Sequence, residues 1–160
     1  MATANAADQG HGTITFAGSI IDAPCSITPE SIDQTVNLGQ ISNKALAKGG
    51  KSNLRAFDIK LESCDITGLK EKTITTTFTG TGSTALPGYL AIVGTASGAS
   101  IGITADDGKN INLGEASPVT TIQNGSNTLR FAAYLQGNGG DTKVVPGEFT
   151  SVANFTLAYQ

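Results

Sequence analysis

Short β-prone stretches that alternate apolar and polar residues recur along this chain, each closed off by turn residues. That rhythm limits the fold more than any other feature. The stretches read TITFAGSII, QTVNLGQI, FDIKLESC, TITTTFTG, YLAIVG, SIGITA, NINLG, NTLRFAAYLQ and VANFTLAY. A two-residue alternation is the mark of a strand with one buried face. Between the stretches lie Ala23-Pro24, Asp106-Asp107-Gly108, Asn124-Gly125, Gly137-Asn138-Gly139-Gly140 and Pro146-Gly147, which supply the fixed-φ and positive-φ positions that hairpins and loops require. Strands at this spacing predict an all-β sandwich. The segment NKALAKGGKS, 43 to 52, is too short for a stable helix and ends in a Gly pair, so it reads as a loop.

A length of 160 residues with no repeat, low-complexity tract or linker predicts one domain. Charged residues make up 14% of the chain, the net charge is -3 and the basic residues are scattered. This gives no footprint for nucleic acid or an anionic membrane, both of which favour clustered Lys and Arg. No apolar run approaches the ~18 residues of a membrane span. Residues 1–6 include Ala4-Asn5-Ala6, a small-x-small pattern that fits the remnant of a secretory signal or an artificial leftover, and no basic or apolar region precedes it.

Catalytic chemistry is not legible. The single histidine, His11, lies in a polar N-terminal segment without partners for a nucleophile-base-orienter arrangement. Asp106 and Asp107 read as part of a hairpin turn rather than a calcium loop. GTGST at 80 to 84 has no Lys after its glycines, so it is not a phosphate-cradling loop. NGS at 124 and NFT at 154 match the glycosylation sequon only as short patterns. No cofactor or metal set is expected. Cys25 and Cys64 lack CxxC spacing and a nearby His, which argues against zinc. Composition leaves both a disulfide, implying an oxidising compartment, and two separate buried thiols open.

The two ends carry the information. The last strand places Ala153, Phe155, Leu157 and Tyr159 on one face, and the sequence stops at Gln160. If that strand lies at a sheet edge, its free amides and carbonyls form a template for another chain. The first strand follows a polar segment and sets Ile14, Phe16 and Ile20 on one face with Gly18 in the slot between. An extended segment with alternate apolar side chains is suited to β-strand addition. Seating the three large side chains is worth roughly 5 to 9 kcal/mol before ordering costs. At Gly18 the missing side chain lets the backbone approach a shallow part of an acceptor.

Taken together, GTITFAGSIIDAPCSI, SIDQTVNLGQIS, FDIKLESCDIT, GSNTLRFAAYL and GEFTSVANFTLAYQ resemble the pilins of the chaperone–usher pathway, in particular the major rod subunits of P-type and mannose-resistant fimbriae. The penultimate Tyr159, Gly147 near the end and the first Cys after the donor-like strand occur in the family's order. The resemblance implies an incomplete immunoglobulin-like sandwich, lacking its seventh strand and completed by a donor strand from another subunit. It implies a donor extension at 1–21 and a pilin domain at 22–160. The donor row would be Ile14, Phe16, Gly18 and Ile20. The acceptor groove and chaperone-binding C-terminal strand would use Gly147, Phe149, Ala153, Phe155, Leu157, Tyr159 and Gln160, the last through its carboxylate. A Cys25–Cys64 disulfide is likewise implied. Implied partners are like subunits in a head-to-tail polymer, with a periplasmic chaperone and an outer-membrane usher during assembly. The implied location is a fimbrium on the bacterial cell surface, reached through the periplasm.

The function expected is therefore structural, with no enzymatic activity. A minor adaptor pilin is the alternative within the family. A carbohydrate-binding adhesin module is the second class, disfavoured because the chain has a donor-like strand, no room for a lectin domain and no Trp. A secreted enzyme fails for want of a site.

Overall fold

In a computed structural model, residues 8–160 are described; the leader-like reading of 1–6 lies outside them. Among the described residues eleven strands form three antiparallel sheets. The main sheet runs β1 (Ser26–Ile27), β2 (Arg55–Cys64), β9 (Gly125–Gly137), β6 (Ala99–Ala105), β4 (Leu90–Ala91), with β7 (Asn110–Ile111) also on β6. The facing sheet runs β11 (Ala153–Tyr159), β3 (Thr73–Gly80), β8 (Thr120–Thr121). A small ribbon pairs β10 (Phe149–Thr150) with β5 (Val93–Gly94). The all-β sandwich expected from the alternation is the observed fold.

The inward rows of the two sheets make the core. Ile59 and Leu61 of β2, Leu129, Phe131, Ala133 and Leu135 of β9, and Ile101 and Ile103 of β6 are buried against Ile74 and Phe78 of β3. Phe131 packs edge-on to Phe78 at 5.0 Å and stacks on Phe57 at 5.7 Å, joining the sheets by aromatic contact. On the outer face of the main sheet Tyr134 is also buried, and its hydroxyl bonds Tyr89 and Asn110 at 2.8 Å each. Gly102 makes room for it, since a Cβ there would lie 2.5 Å from the Tyr134 ring.

In a regular strand Leu61 and Cys64 would face opposite ways. A register shift between them, with Ser63 at φ 53°, turns both inward. Cys64 thereby meets Cys25, and the two form a disulfide. The Asp106-Asp107-Gly108 segment closes the β6–β7 hairpin, as read from sequence.

Two readings are corrected. NKALAKGGKS is not a loop throughout: α1 (Pro29–Ile32) is followed by a second helical turn, α2 (Asn43–Leu46), which runs into a 3-10 turn over Ala47–Gly49. The Ser42 hydroxyl caps α2 by accepting from the Lys44 amide, and Leu46 is buried against the end of β9. Tertiary burial supplies what four residues lack by themselves. QTVNLGQI is not a ladder strand: among the described residues no strand partner is found for 34–41.

Candidate functional site

That unpaired stretch is one wall of a groove. Val36, Leu38 and Ile41 are half-buried along it, and the segment is tied down by the Gln34 side-chain amide donating to the Asp58 carbonyl at 3.0 Å. The other wall is Ala153–Phe155 of β11 with Phe149 of β10 and the Val144–Gly147 turn. Between the walls an opening of about 1380 Å³ reaches down to Phe57, Ile59, Phe78, Ile101, Ala133 and Leu135. These floor residues belong to the core itself, so one side of the sandwich interior is open. Ordinary small-molecule sites hold ~300–1,000 Å³, and this one is larger.

The sequence-derived acceptor residues divide. Gly147, Phe149, Ala153 and Phe155 line the groove, whereas Leu157 and Tyr159 continue the same inward row farther along β11, half-buried against the core. Gly147 is demanded by packing: a Cβ there would come 2.6 Å from the Ala96 amide nitrogen. Burial raises the Tyr159 hydroxyl above the ordinary tyrosine range. The strand end is pinned by Gln160 and Thr73, whose backbones exchange hydrogen bonds of 3.0 and 3.1 Å. Among the described residues β11 pairs with β3 on one side only, which makes it the edge strand the sequence suggested.

At the other terminus, 8–21 is neither helix nor ladder strand. Phe16 is 88% exposed and Ile20 fully so; Ile14 is exposed beside them. A Cβ on Gly18 would meet no atom within 4 Å. The segment leaves the body at the Cys25–Cys64 bond, beside a shallow depression lined by Asp22, Pro24, Asp65 and Leu69. His11 is exposed and pairs with Asp8 at 2.6 Å. Among the described residues no cluster of His, Cys, Asp and Glu is placed to hold a metal ion.

Sequence reasoning named one wall of the groove and missed the other wall and the floor. The signal for the second wall was the Val36/Leu38 alternation, read from sequence as one of the β-prone stretches.

A family model described as fimbrial protein matches residues 14–160. The chain belongs to the fimbrial protein family. This pilin is 65% identical to the Fimbria A protein of Serratia marcescens over 98% of its own length and 89% of that protein's. It is 54% identical to the Major MR/P fimbria protein of Proteus mirabilis (strain HI4320), over 99% and 89%. Among solved structures it is similar to a chaperone–usher pilus, with 36% identity and a TM-score of 0.86 over 98% of this chain and all of that one. It also matches the crystal structure of the P pilus rod subunit PapA, with 34% identity and a TM-score of 0.77 over 86% of this chain. The pilin is thus a structural subunit of a surface fimbria, not an enzyme, and its sandwich is the immunoglobulin-like pilin fold.

Proposed function

We propose that this pilin is a rod-type subunit that polymerises by donor-strand exchange, the extension 1–21 of one copy entering the groove of the pilin domain, 22–160, of the next. The observation that carries this reading is the coexistence, in one molecule, of a core-deep groove and an exposed extended segment with alternating apolar side chains. Each has what the other lacks. The groove offers the free edge of β11 and an apolar floor; the extension offers main-chain hydrogen bonds and the side chains of Ile14, Phe16 and Ile20. Burying those side chains answers a floor of core residues that solvent would otherwise reach.

A periplasmic chaperone would lend a strand to the same groove before assembly, and an outer-membrane usher would receive the complex, placing the route to the surface through the periplasm. The rod role follows the nature of the relatives, among them a major fimbria protein and a rod subunit.

Electrophoresis of the purified protein in detergent, with and without boiling and without reductant, tests this. A ladder of multiples of 16.2 kDa that collapses to monomer only on harsh heating is expected, because strand-exchanged subunits dissociate by slow unfolding. A single monomer band in both lanes would overturn it.

A further inference from the structure

We propose that the pilin domain is electrically polar along its length, and that the acidic end from which the extension leaves docks on the lysine-bearing end of the next subunit's body. The inference rests on the donor-strand reading above. Its partner is a second copy of this chain, and the contact lies outside the groove, between the bodies of successive subunits.

The basic end is built by loops that meet at the C-terminal end of β9. There the Gly137 amide donates to the Gly50 carbonyl and the Asn138 amide to the Gly98 carbonyl, at 2.9 Å each. Gly98 lies against the Lys143 backbone, and Lys51 is bridged to Gln136. Lys44, Lys48, Lys51 and Lys143 are thereby gathered at one end of the sandwich, all exposed, against Asp141 and Glu148. Asn43 and Val144, next in sequence to Lys44 and Lys143, line the groove, so the lysines stand at its mouth.

The acidic end is built around the disulfide, at the opposite end of the same strand, where Cys64 pairs with Gly125. The Asp65 amide donates to the Pro24 carbonyl at 2.9 Å, and Asp22 and Asp65 line one depression. The Ile122 amide, donating to the Lys72 carbonyl at 3.0 Å, holds the 70–72 turn beside them. Asp22, Glu62, Asp65 and Glu71 are exposed here, against Lys70 and Lys72. Each end thus carries four charges of one sign and two of the other, and the signs are opposite.

This polarity has no use inside one subunit. β9 has 13 residues and spans roughly 40 Å, several times the ~8 Å over which charges act in physiological salt. Among the described residues the one ion pair is His11 with Asp8, in the extension. The charged groups of both ends are therefore open to a partner.

The extension decides which surfaces can meet. It leaves the body at Asp22, so the donating subunit brings its acidic end to whichever end of the groove its extension enters. Entry at the lysine end sets unlike charges against each other, whereas entry at the disulfide end sets like charges together, which is repulsive. Charge therefore favours the lysine end as the docking surface. It also speeds encounter, since steered association at low salt runs ~10 to 10³ times faster than unsteered.

Charge reversal in the full chain, released from denaturant and left to assemble, tests this. Asp22→Lys with Glu71→Lys reverses the acidic end, Lys44→Glu with Lys143→Glu reverses the basic end, and a further chain carries all four substitutions. At ~20 mM salt each double reversal is expected to slow the initial formation of the detergent-resistant ladder at least ~tenfold, with the fourfold chain back within about threefold of the unsubstituted one. At ~1 M salt, where charges act over ~3 Å, the four rates should converge. The acidic-end reversal takes the net charge from -3 up by four units to +1, so general repulsion between copies cannot account for its slowing. Equal rates at low salt, a fourfold chain as slow as the double reversals, or faster assembly from the Asp22 and Glu71 reversal overturns the docking proposal and leaves donor-strand exchange standing. Absence of any ladder from the unsubstituted protein overturns donor-strand exchange itself.

Discussion

Gly18 and Gly102 put the same residue type to opposite uses. Around Gly102 the Tyr134 ring leaves no room for a side chain, so the glycine serves its own fold; around Gly18 there is nothing within 4 Å, so it serves none of its own subunit's packing. Gly18→Leu should therefore leave the melting transition of the unassembled subunit unchanged, within about 0.5 kcal/mol, while the detergent-resistant ladder disappears. A normal ladder from that variant would remove Gly18 from the donor row. Tyr134 and Tyr159 make a second prediction. Burial, with the Tyr89 hydrogen bond in the case of Tyr134, raises both hydroxyls above their ordinary value. A tyrosine in the unfolded chain ionises near pH 10, so above about pH 10 the unfolded state sheds protons that the folded state keeps, and stability falls as pH rises. Below that pH the contribution is fully present. Urea midpoints measured from pH 8 to 11 should decline at the alkaline end, and Tyr134→Phe should flatten that decline.

Among the elements, β11 and the 34–41 segment matter for what they leave unpaired. Each presents a main-chain edge toward a groove whose floor is core, and the strand that would bridge them lies at the chain's other end. On the proposed donor-strand reading, a chain lacking residues 1–21 keeps the groove but has no strand to donate, so it should act as a chain terminator. Adding it at one part in ten to the full chain during assembly should shorten the detergent-resistant ladder in proportion. An unchanged length distribution would mean that the groove is not where subunits join. The α2 turn makes a related point about helices: four residues with modest propensity hold because Ser42 caps them and Leu46 is buried.

Across the whole molecule, the disulfide ties the base of the extension to the end of β2, closing a loop of sequence separation 39. In the chain-entropy picture that is worth about 4 kcal/mol. Paired Cys25→Ser and Cys64→Ser substitutions should lower the urea midpoint of the subunit by a large fraction of its total, as should reduction of the native chain. The alternation of apolar and polar residues was enough to predict an all-β sandwich, because burial of one strand face acts through nearest neighbours in sequence. The terminal motifs were enough to predict the family, and the row Ala153, Phe155, Leu157, Tyr159 was legible as one face of an edge strand. Other features depended on contacts distant in sequence. QTVNLGQI alternates like a strand yet has no ladder, because whether a strand pairs depends on what lies beside it in space. The bulge at Ser63 that turns Cys64 inward, the buried α2 turn and the floor of the groove are likewise set by residues brought together from β2, β3, β6 and β9. Periodicity along the chain fixes which face a residue occupies; only the packing of the sheets decides which faces meet and which edge is left open.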